Sequence, residues 1–146
     1  MVLFVHFICA KVTVRGEGYI YILIFNLEAG FDVIFVESVG VGQSEMRLAD
    51  LTDLFVLCAA PGAGDDLQAM KRGINEMADL ILLNKAEEPM TGDARRALME
   101  LRAAQTFRLR PSPVLAVSAM KNQGIEAVWS TLKCLESESR VLNNTY

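Results

Sequence analysis

From residue 31 onward, short runs of apolar side chains alternate with longer stretches in which apolar positions recur every three or four residues. That alternation is the pattern of a mostly parallel sheet covered by helices, an α/β fold. The runs at 32–36, 53–59, 80–83 and 113–117 are nearly continuous in apolar residues, so each is expected as a central or near-central strand buried on both faces. Helices are expected between them at 65–78, 92–106 and 124–136, with a shorter turn or helix at 43–51. Leu67, Met70, Ile74 and Met77 form one apolar stripe. Ala94, Leu98, Leu101 and Ala104 form a second, and Ile125, Val128, Trp129 and Leu132 a third, all read as core packing. Arg95, Arg96 and Arg102 fall on faces that water reaches.

The first thirty residues follow a different pattern. Residues 2–8 are β-rich, 11–15 alternate, and Gly16-Glu17-Gly18 signals a turn, so an antiparallel hairpin is expected. Residues 19–25 fit either a second strand or a helix stopped by Gly30. The chain therefore divides into an atypical segment at 1–30, an α/β unit at 31–136 and a polar tail at 137–146 expected to fray.

Composition narrows the function. The 146 residues are 52% apolar and 22% charged, enough for a core and too greasy for overall disorder. With 14 basic and 18 acidic side chains the net charge is −4, which leaves no basic excess for a nucleic-acid backbone. Cys9, Cys58, Cys134 and the single His6 have no metal-ligand spacing, and no disulfide framework is expected. The start of the chain lacks the basic flank of a secretory signal. The longest uninterrupted apolar run, 19–25, falls well short of the roughly eighteen residues that cross a bilayer, so no membrane segment is expected.

The candidate chemistry lies in loops at the carboxyl ends of expected strands, where open parallel sheets bind ligands. After 32–36 comes ESVGVGQSE at 37–45. Glu37 there is suited to hold Mg²⁺ through its water shell, and Gly40 lets a backbone N–H approach a γ-phosphate. A glycine-rich turn with a strand-end charge is the alternative. After 80–83 comes Asn84-Lys85-Ala86-Glu87. The Glu87 carboxylate is placed to accept from the donor edge of guanine, and the Lys85 stem to cover the ring. Guanine readers usually carry Asp at that last position, and Glu87 is one methylene longer. After 113–117 comes SAMKNQG at 118–124, whose Ser-Ala turn offers backbone N–H groups to a base carbonyl.

These loops occur in the order and spacing of the switch II, guanine and final base motifs of a guanine-nucleotide-binding domain. With PGAGDDLQ at 61–68, KRGI at 71–74 and ADL at 78–80, the chain resembles the ArgK/MeaB group of P-loop GTPases, the group of the methylmalonic aciduria type A proteins, over about residues 27–135. The resemblance implies a partial P-loop NTPase fold and a GTP-binding metallochaperone that supports adenosylcobalamin loading and protection of methylmalonyl-CoA mutase. GTP or GDP and Mg²⁺ are the implied cofactors, and the mutase the implied partner. By position, Glu37 takes the Mg²⁺-side acid, Gly40 the γ-phosphate glycine and Gln43 part of switch II. Asn84, Lys85 and Glu87 would hold guanine, with Ser118, Ala119 and Met120 behind it. Pro61, Gly62, Gly64, Asp65 and Lys71 fall in the family's additional switch, which couples nucleotide state to the partner. An intracellular location is implied, mitochondrial in eukaryotes and cytoplasmic in bacteria.

The sequence also departs from that group. No Gly-x-x-x-x-Gly-Lys-Ser/Thr motif, whose amides cradle the β-phosphate, occurs in the 146 residues. Switch I and the helical extension used for homodimerisation are likewise unmatched. The expectation is a second half of a GTPase domain with weak GTP binding and negligible hydrolysis. The alternative function is a non-catalytic interaction module that keeps the switch surface. In the family's fold the P-loop strand lies between the strands expected here at 31–36 and 53–59. Of the segments able to fill that gap, 2–8 suits the connection length better than 19–25.

Overall fold

The computed structural model describes residues 2–7, 33–38, 52–62 and 76–143. Among the described residues five strands form one sheet: β1 (Val2–Phe7), β2 (Val33–Ser38), β3 (Leu54–Ala59), β4 (Leu80–Leu83) and β5 (Val114–Ala116). The named helices there are α1 (Gly92–Gln105) and α2 (Ile125–Asn143). The spatial order is β2-β1-β3-β4-β5. Strands β3, β4 and β5 pair in parallel, whereas β1 is antiparallel to both β2 and β3. Four of the five strands therefore point the same way, and β1 alone runs against them.

The gap expected beside β3 is thus filled by β1, with Leu3 level with Glu37 on one side and Val56 on the other. Connection length selects which segment enters the sheet but says nothing of its direction. The apolar runs also misjudge two positions, since β2 and β5 are the outermost of the described strands rather than central ones. A short continuous apolar run reports burial, not the number of neighbours. Phe35, at 54% exposure, marks the β2 edge.

Alternation along β3 divides the core. Phe55, Leu57 and Ala59 face α1 together with Ile81, Leu83 and Val114, against Ala94, Ala97, Leu98 and Leu101 of that helix. Leu54 and Val56 point the other way with Leu80 and Leu82, toward Leu132, Val128 and Leu135 of α2. Two helical layers around one sheet result, each closing one face of nearly solid leucine, isoleucine and valine.

Helix α1 starts where Thr91 accepts the Ala94 N–H in its side chain at 3.2 Å, satisfying one of the first turn's orphan donors. Its buried stripe ends on Gln105 rather than Ala104, which is exposed. Gln105 is tolerated inside because its Oε1 accepts from Ser112 N–H at 3.2 Å and from Arg108 at 2.9 Å. Arg96 pairs with Asp93 on the outer face. Helix α2 runs through Asn143, so the expected tail is helical for most of its length. Its inward line is Val128, Leu132 and Leu135, while Ile125 and Trp129 lie on a neighbouring, exposed strip with the Lys133 ammonium 5.3 Å from the Trp129 ring centroid. The expected elements at 11–25, 43–51 and 65–75 lie outside the described residues.

Candidate functional site

Backbone pairing continues beyond the named strands and brings two loops side by side. Asn84 N–H donates to Ala59 O at 2.8 Å, Val117 N–H to Leu83 O at 2.9 Å, and Ala86 N–H to Val117 O at 3.0 Å. The chain after β4 and the chain after β5 therefore leave the sheet in register, at its carboxyl end. Ser118 and Gln123 then exchange two backbone hydrogen bonds, each 3.0 Å, which close the 118–123 turn into a small loop.

Side chains lock one turn to the other. Asn84 Oδ1 accepts both the Lys85 N–H at 2.8 Å and the Ala119 N–H at 3.1 Å. The Ser118 hydroxyl donates to Glu87 Oε1 at 3.0 Å and accepts the Lys121 N–H at 3.1 Å. Ser118 is fully buried, yet its polar atoms are all engaged. Lys85 stands at φ 60°, which turns the chain sharply between the Asn84 amide and the buried Ala86. Gly124 closes the second turn at φ 77°, where an added Cβ would stand 2.8 Å from Ala116 O.

Four expected site residues, Asn84, Glu87, Ser118 and Ala119, are thus in direct hydrogen-bonded contact. Lys85 and Met120 are exposed beside them, Met120 at 87%. One detail differs from expectation: the Ala119 N–H is engaged by Asn84 rather than open to a base carbonyl. Chemically, the pair leaves the Asn84 Nδ2 hydrogens as donors and Glu87 Oε2 as an acceptor with no partner among the described residues. A donor and a carboxylate acceptor held side by side match a planar heterocycle that presents acceptors on one edge and N–H donors on another.

Glu37 lies elsewhere. It sits on β2, level with Val56 through Leu3, and three strand positions separate β2 from β4, about 14 Å at the usual strand spacing. Its strand points toward the same sheet end as β4, so a ligand touching both sites has to be elongated. Pro61 is half-buried and Gly62 adopts φ 81° in the turn that follows β3. Gly40, Gln43, Gly64, Asp65 and Lys71 lie outside the described residues.

A cleft of about 970 Å³ opens at the opposite end of the sheet, lined by Asp53, Asp79, Arg108, Ser112 and Glu138. Its polar groups are mostly spent on the fold. Asp79 Oδ2 accepts the Phe55 N–H at 2.8 Å, and the Arg108 guanidinium donates to the backbone carbonyls of Ala78, at 3.3 Å, and Glu76, to Gln105 Oε1 and to the Ser112 hydroxyl. Burial raises the Asp79 carboxyl above its ordinary range, opposed by the Phe55 bond and the Arg108 charge. Among the described residues no cluster of His, Cys, Asp and Glu fit to hold a metal occurs, and no helix is long and apolar enough to cross a membrane.

A further side chain tying the two turns, with no counterpart among the expected site residues, is Gln123, whose Oε1 accepts the Glu88 N–H at 3.1 Å across 35 positions of chain. Its one sequence signal is its place immediately before the glycine at the start of α2.

The family model for the methylmalonyl Co-A mutase-associated GTPase MeaB matches residues 17–144, a wider span than the motifs alone cover. The mouse mitochondrial methylmalonic aciduria type A homolog is 42% identical over 109 residues, covering 71% of this chain and 26% of its own length. The GTPase ArgK of Escherichia coli is 39% identical over 109 residues, with 71% and 33% covered. A crystal structure of LAO/AO transport system kinase superposes with a TM-score of 0.64 at 29% identity, over 79% of this chain and 38% of that one. The chain spans about a quarter to a third of the length of these curated relatives.

Proposed function

Because the chain belongs to the family of methylmalonyl Co-A mutase-associated GTPases, we propose that its turns after β4 and β5 read the base of a guanine nucleotide in the service of that mutase. The supporting observation is the interlock of the two turns, Asn84 Oδ1 on the Ala119 N–H at 3.1 Å and Ser118 on Glu87 at 3.0 Å. These bonds hold the Asn84 Nδ2 donors toward the N7/O6 side of guanine and the Glu87 carboxylate toward its N1 and N2 hydrogens. The Lys85 stem, exposed beside the turn, lies over the ring. Glu37 and Gly40 serve the phosphate end, the first through the water shell of Mg²⁺, the second through its N–H, with Gln43 as part of the switch. Residues 61–71, among them Pro61, Gly62, Gly64, Asp65 and Lys71, carry the nucleotide state to the mutase during adenosylcobalamin loading.

A second reading is favoured by a specific observation: these 146 residues contain no Gly-Lys-Ser/Thr loop, and β1 runs antiparallel where the family's P-loop strand is expected. Phosphate contacts supply much of the affinity and much of the charge stabilisation for hydrolysis, so the chain then acts as an interaction module without turnover.

Titration with a fluorescent GTP analogue and Mg²⁺, on the chain and on Asn84→Ala, tests the base site. Binding that weakens about tenfold or more in the variant is expected, the loss of a charge-free donor pair plus the tie to Ala119. Equal binding by both chains overturns the base assignment. Phosphate release at background level together with capture by methylmalonyl-CoA mutase selects the second reading.

A further inference from the structure

We propose that Gln123 is a positioning residue for the Glu87 carboxylate and thereby sets how strictly the site demands the exocyclic amine of guanine; the proposal rests on the guanine reading above. Glu87 is held at three points. Before it, Ala86 N–H is bound to Val117 O at 3.0 Å. At its carboxylate, Oε1 takes the Ser118 hydroxyl at 3.0 Å. After it, Glu88 N–H is bound to Gln123 Oε1 at 3.1 Å. The third tie, like the second, comes from a side chain reaching across from the other loop, and it is the one that holds the backbone after Glu87; Gln123 is itself fixed by the paired backbone bonds to Ser118 and by the tight Gly124 that follows.

A glutamate has one more side-chain torsion than an aspartate, so its carboxylate wanders further unless the backbone beneath it is held. Hydrogen bonds weaken steeply once distance or angle slips, and guanine differs from hypoxanthine only by the amine that Glu87 Oε2 would accept from. Fixing both flanks of Glu87 therefore bears on discrimination more than on general affinity. The Glu88 N–H lies at the surface, where water replaces a lost acceptor, so a Gln123 variant retains the fold.

The test uses the full chain as wild type, Gln123→Met, which keeps the length without the strong acceptor, and Gln123→Glu, which keeps an oxygen. GDP and IDP affinities with Mg²⁺ and hydrogen exchange at the Glu88 amide are read for each. The expected result is a GDP preference in the wild type, reduced about tenfold by Gln123→Met together with faster Glu88 exchange, and both restored by Gln123→Glu. A Gln123→Met chain that melts earlier but keeps the wild-type GDP-to-IDP ratio overturns the positioning role. Unchanged Glu88 exchange does so as well. A wild type that binds GDP and IDP equally overturns the guanine reading itself, and the exchange data then report separately on whether Gln123 holds Glu88.

Discussion

At the scale of single residues, Asn84, Glu87 and Ser118 are interlocked at the carboxyl end of the sheet, whereas Asp79, Arg108 and Ser112 are committed to the fold at the other end. Asp79 belongs to the second group. Its carboxylate serves the Phe55 N–H, and its burial makes protonation easier in the folded chain than in the unfolded one. A carboxyl raised in this way is a cost to the fold when ionised. Stability is gained as pH falls through the folded pKa, and the cost is gone below the unfolded value. Asp79→Asn keeps an oxygen for Phe55 and removes the charge. Its urea midpoint is expected to exceed that of the wild type at neutral pH, with the gap closing toward about pH 3. A wild type that outlasts the variant at neutral pH would show that Arg108 outweighs desolvation.

The elements explain why the site is where it is. Leaving the sheet in register, the turns after β4 and β5 need only short side chains to meet, and Gly124 lets the second turn reverse into α2. Gly124→Ala places a side chain at φ 77° and a Cβ 2.8 Å from Ala116 O. The left-handed backbone alone costs about 1–2 kcal/mol, and the contact adds to it. An unfolding free energy lowered by at least that much, read as a lower urea midpoint at unchanged slope, is expected, and a midpoint equal to the wild type would mean that the turn has another conformation. Much of this layer is legible in the sequence. The runs at 53–59 and 80–83 read directly as β3 and β4 because they are apolar on both faces, and the Asn84 and Ser118 loops, which the structure brings together, read as a candidate site because they follow strands. The direction of β1 and the outer place of β2 are not legible, since both depend on partners that a local pattern does not encode. The Gln123 tie to Glu88 spans 35 positions and leaves no local mark. On α2, Ile125 and Trp129 share helical spacing with the buried line, and only the sheet's position decides which strip is covered.

Across the whole molecule, β1 keeps the sheet continuous between β2 and β3, and α1 and α2 seal opposite faces. The proposed base-reading end is the carboxyl end rather than the cleft at the other, where Asp79, Arg108 and Ser112 are bound to the backbone and to one another, while the Asn84 and Glu87 pair keeps donors and an acceptor to offer. Amide shift mapping of the chain during titration with GDP and, separately, ADP tests that assignment most directly. GDP-induced shifts are expected to concentrate at Lys85, Glu87, Ala119 and Gln123, with markedly smaller ones from ADP. Equal shifts from both nucleotides, or shifts gathered around Asp79 and Arg108, would contradict it.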